Sequence, residues 1–118
     1  YVPGWPLTCG WGLRRWLLEH RALTVRFIRA WVAATDWLLR SENRDETIAL
    51  MMEKEKLSRA AAENAYGKVV PKARINPAAL QGVIELRKEM GVYQPPFAPP
   101  EKFYDASYWT EAMGLPEK

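Results

Sequence analysis

Apolar and polar positions alternate in blocks along this chain, and from residue 13 onward the blocks repeat at helical spacing. Residues 20–40 hold the longest block. Leu23, Phe27, Ile28, Trp31, Thr35 and Leu38 fall three or four apart, the spacing that places side chains on one face of an α-helix. Arg26, Arg29, Ala33 and Asp36 lie mainly off that face. A stripe of this kind is expected to be core, with Trp31 at its centre, and truncating a fully buried tryptophan there would cost roughly 3–5 kcal/mol. A short helix over 13–19 leads into this long one.

The block ends at Ser41 to Asn43, where cap chemistry appears. Asn43 and Glu46 stand in capping-box spacing, with Ser41 as the competing cap. "NRDE" is therefore expected to start a helix rather than form an acid/base pair, which needs a pocket and a shifted pKa. The helix that follows carries Ile48, Leu50, Met51 and Met52 inward, and "EKEK" at 53–56 reads as a solvated turn. Ser58 can cap a third helix, "RAAAENAYGKVV", rich in the best helix former, whose end Gly67 weakens and which Pro71 stops.

"NPAALQGVIELRKEMG" gives the clearest helix, with Asn76 as cap, Pro77 in the first turn and Gly91 past the end. Leu80, Ile84 and Arg87 share one side; Ala79, Val83, Leu86 and Met90 share another. So wide an apolar arc is expected to be covered by more than one neighbour. "YQPPFAPP" reads as an ordered connector over the surface. "YDASYWTEAMG" gives a short last helix capped by Asp105 and stopped by Gly114. At the other end, "YVPGWPLTCGWG" over 1–12 holds Pro and Gly too often for a helix and should be a short extended segment. The expectation is an all-α chain of about five helices, one unit over 1–118, with this extended start.

Composition narrows the function. With 118 residues, 48% of them hydrophobic and six of them Trp, the chain fits one small domain with a packed core. Net charge is +3, and Arg14, Arg15, Arg21, Arg26 and Arg29 are dense near the start, but acids and bases mix beyond Glu42. That mixture argues against nucleic acid as the main partner. Cys9 is the only cysteine, so no internal disulfide can form. Arg and Asp interrupt the most apolar stretch, 27–39, well short of the roughly 20 apolar residues of a membrane span. The chain begins at Tyr1, and is expected to be a processed product or a piece of something longer. His20 and Cys9 would make a nucleophile–base pair only with a third, orienting group. There is no Gly-rich phosphate loop and no Cys/His metal spacing. Neither catalysis nor a cofactor is expected.

The order of elements resembles a known family. "RRWLLEHRALTVRFIRAWVAATDWLL", "ENRDETIALMM", "LSRAAAENAY", "NPAALQGVIELRKEMGVY" and "PPEKFYDASYWTEAMG" follow one another as in the C-terminal part of periplasmic substrate-binding proteins of nitrate/sulfonate/taurine ABC importers, which have relatives in thiamine-pyrimidine metabolism. Phe27, Arg29 and Ala30 match a first element of that family, Asn43, Arg44 and Glu46 a second, and Tyr104, Asp105, Ser107, Tyr108 and Ala112 the last. The likeness runs from Leu13 onward. It implies a periplasmic, non-catalytic receptor with two α/β lobes, which closes on a small anion or a sulfonate-like or pyrimidine-like ligand and presents it to a membrane permease. The first lobe's core and most of the second are missing here, so the ligand cleft would be incomplete. In the parent, residues 1–12 would join the sheet near the hinge, which makes Trp5 and Trp11 the candidates for ligand contact. Without the parent lobe, exposed apolar faces are expected to drive homo-oligomer formation. Two other readings remain: an independent small helical protein-interaction module, and a basic nucleic-acid binder.

Overall fold

The computed structural model describes residues 10–115. Among them are six α-helices and no strand: α1 (Arg14–Glu19), α2 (Arg21–Leu38), α3 (Arg44–Glu55), α4 (Arg59–Tyr66), α5 (Pro77–Glu89) and α6 (Ser107–Ala112). Short 3-10 turns occupy Ser41–Asn43, Pro71–Ala73 and Pro100–Lys102. The all-α expectation holds. Most of the expected extended segment lies outside the described residues; 10–12 have no regular structure, and Leu13 is extended at φ −67°, ψ 126°.

Local chemistry explains most of the helix ends. Ser58 Oγ accepts from the Ala61 N–H at 3.3 Å, and Asn76 Oδ1 accepts from the Ala78 N–H at 3.0 Å, each satisfying a donor that the first turn leaves free. Gly91 and Gly114 take positive φ, 70° and 66°. Beyond them the Val92 N–H reaches Arg87 O and the Leu115 N–H reaches Thr110 O, so both α5 and α6 end in Schellman motifs.

Two ends depart from expectation. Asn43 sits at φ −96°, ψ −1°, not in the extended conformation an N-cap needs, and makes no cap hydrogen bond. The turn Ser41–Asn43 has already curled the backbone, and the Asn43 side chain instead donates through Nδ2 to Trp37 O, 2.8 Å away. It thus closes the end of α2 rather than opening α3. "EKEK" is not a turn either: α3 runs through Glu55 and stops at Lys56, which takes the left-handed conformation at φ 55°, ψ 34°.

The core is thin and assembled in parts. α2 packs against α6 and the Pro71–Ala73 turn, while α3 pairs with α4. Val25, Tyr108 and Ala112 form one buried cluster, bordered by Leu17, Ile28 and Met113. Thr47, Ile48 and Ala62 are buried on α3 and α4. Thr47 Oγ1 donates to Leu38 O at 3.3 Å, which ties α3 to the end of α2 and removes the cost of burying the hydroxyl. The radius of gyration, 16.3 Å, exceeds the roughly 13–14 Å of a compact domain of this length.

The expected core stripe of α2 holds at Thr35, which is buried, and at Ile28 and Leu38, which are half-buried, but fails at Leu23, Phe27 and Trp31, which are 49%, 56% and 45% exposed; Val25 and Val32 are buried instead. α2 is apolar on two sides, and its neighbours α6 and the 71–73 turn take the side that carries the β-branched residues. The second arc of α5 is covered only in its first half: Ala79 is buried and Val83 half-buried, beside the buried Leu80 and Ile84, but Leu86 and Met90 are exposed, because the main neighbour of α5 is the Pro100–Lys102 turn. On α3, Leu50 likewise faces outward. The proline connector is ordered around Tyr93. Its ring meets Phe97 and Phe103 edge-on at 5.2 and 6.1 Å, and its hydroxyl accepts from the Ala98 N–H at 2.6 Å.

Candidate interaction face

α2 holds α6 through two arginines, Arg21 and Arg29. Arg21 Nε donates to Glu111 Oε2 at 2.7 Å, both Arg21 terminal nitrogens lie 3.3 Å from Ser107 Oγ, and the guanidinium carbon sits 4.5 Å from the centre of the Tyr108 ring. A planar, multiply donating cation suits a carboxylate, a hydroxyl and an aromatic face together. Two turns along α2, Arg29 Nε donates to Ala112 O at 3.0 Å. This places positive charge on the free carbonyls at the α6 C-terminus, where the helix dipole favours it. At the other end of α6 the N-cap position falls to Ala106, not to Asp105 as expected, but Asp105, one residue earlier, accepts through Oδ1 from the Ser107 N–H at 2.9 Å. Partial burial alone would raise the Asp105 pKa; the hydrogen bonds with Ser107 and the charges of Arg21 and Arg14 outweigh it and hold the carboxyl below its ordinary value.

The loop after α4 is fastened to the same pair. Trp109 Nε1 donates to Lys72 O at 2.9 Å, the Arg74 guanidinium lies 4.9 Å from the Trp109 ring centre, and Lys72 pairs with Asp36 of α2. Lys72 and Ala73 both adopt positive φ, 58° and 50°, a conformation that costs a residue with a Cβ and has to be held in place by such contacts.

Among the described residues, no group of three or more His, Cys, Asp or Glu stands close enough to hold a metal ion, and no buried side-chain polar atom lacks a partner. A depression of about 270 Å³ is lined by four consecutive residues, Arg74 to Pro77. It falls below the roughly 300–1,000 Å³ of usual ligand sites, and no polar groups from separate elements converge on it. No described helix is long and apolar enough to cross a membrane.

The distinctive surface is the outer face of α2. Leu23, Phe27 and Trp31 stand one helical turn apart on the side away from α6, and the Phe27 and Trp31 rings lie 5.7 Å apart. Ala30 and Ala34 on the same helix are also exposed. Trp16, Leu13 and Leu18 add exposed apolar surface from the α1 region.

Of the residues singled out in the sequence, Trp5 and Cys9 lie outside the described residues, and Trp11 is 93% exposed. Trp11 therefore stands in no pocket. His20 forms the break between α1 and α2; its ring stacks on Trp16 at 4.4 Å and its Nδ1 bonds Trp16 O at 2.9 Å. The Arg21–Glu111 link was not anticipated. The sequence did mark the face of α2 that carries Arg21, though not its partner: residues 21, 25, 28, 32 and 35 fall at alternating spacings of four and three, a second and equally regular face. Compared with known proteins, the chain matches no family, no curated protein and no solved structure.

Proposed function

We propose that this chain is the C-terminal helical part of a solute-binding receptor of the nitrate/sulfonate/taurine importer type, and that it serves there as a packing element. The outer face of α2, with Leu23, Phe27 and Trp31 exposed in one stripe, carries the reading: an exposed apolar stripe of this kind marks a surface built to be covered. The receptor's own α/β lobe would be that cover. The ordered likeness of Phe27-Arg29-Ala30, Asn43-Arg44-Glu46 and the Tyr104–Ala112 segment supports the same assignment.

In this reading the full-length receptor works in the periplasm. It binds a small anion or sulfonate-like ligand between its lobes and delivers it to an ABC permease. The helical part contributes rigidity rather than chemistry, and needs no cofactor. Trp5 and Trp11 would approach the ligand only in the complete molecule. The alternative is an independent helical protein-interaction module, favoured by the way α2 and α6 are clasped by their own side chains. The coding frame upstream of Tyr1 separates the two. A frame continuing through two α/β lobes is expected; a frame opening at or just before Tyr1 would overturn the receptor assignment and leave the module.

A further inference from the structure

We draw no further inference here: the strongest candidate, the exposed apolar face of α2 formed by Leu23, Phe27 and Trp31, belongs to the packing role already proposed, and nothing in the structure shows what other partner covers it.

Discussion

Arg21 and Glu111 are ninety positions apart in the chain and 2.7 Å apart in space. Both side chains are partly open to solvent, which screens the pair and limits its worth. Removing the link by Arg21→Ala or Glu111→Ala should destabilise the α2–α6 contact, with a coupling energy of about 0.5–1.5 kcal/mol in a double-mutant cycle. Arg21→Lys should recover little, since an ammonium cannot serve Glu111, Ser107 and the Tyr108 ring at once. Urea unfolding of the four cycle members measures this; strict additivity would show that the contact contributes nothing.

Acid should loosen the same contact. Asp105 has a lowered pKa in the folded chain, so its contribution is fully present above the ordinary carboxylate value, about 4, and is lost as pH falls through the lowered folded value. Asp105→Asn should therefore reduce the loss of stability on acidification while keeping a weaker cap. The check is unfolding midpoint against pH for both proteins; parallel curves would exclude Asp105 as a source of the dependence.

Trp31→Ala should cost less than about 1 kcal/mol in the isolated chain, not the larger sum that a buried tryptophan would imply. Ile48→Ala, which empties a fully buried position, should cost about 2–5 kcal/mol. Denaturant unfolding of the two variants side by side tests the assignment of inner and outer faces. The reverse ranking would mean that the faces are exchanged in solution.

Lys56→Gly should stabilise the chain by about 1 kcal/mol, because Lys56 ends α3 in a left-handed conformation that only glycine adopts without a steric penalty. A lower thermal midpoint for the glycine variant would show that this conformation is not kept.

The uncovered surface predicts association. The isolated chain should form dimers or larger species, with apolar residues of α2 or Trp11 buried between copies, and Phe27→Glu should shift the population toward monomer. Light scattering across a concentration series decides this: a clean monomer at high concentration removes the claim. Without its lobes the chain should also show no heat of binding with nitrate, taurine or alkanesulfonates in calorimetric titration. Saturable heat would mean that a working cleft is present.

Helix identity was legible in the sequence wherever a local signal acted alone. Ser58, Asn76 with Pro77, Gly91 and Gly114 each mark a helix end through backbone chemistry needing no tertiary partner. Facing was not legible for α2, since two apolar arcs with helical period compete there and only the docking of α6 selects between them. Weight given to bulky side chains chose Phe27 and Trp31, where packing chose Val25 and Val32. Asn43 failed for a related reason: its spacing to Glu46 suited a cap, but the preceding turn fixed its backbone first. The clasp from Arg21 to Glu111 joins opposite ends of the sequence, and no short-range pattern encodes such a pairing.

That clasp also bears on the order in which the chain assembles. α3 and α4 are sequence neighbours and meet after closing only a short segment, whereas α2 and α6 meet across most of the chain. The entropy of closing so long a loop must be met before any bond in the clasp forms. The α2–α6 seam is thus expected to be the last contact made on folding and the first released on opening. Amide exchange would record this as earlier loss of protection at Thr110 and Met113 than along α3, and the opposite order would refute it.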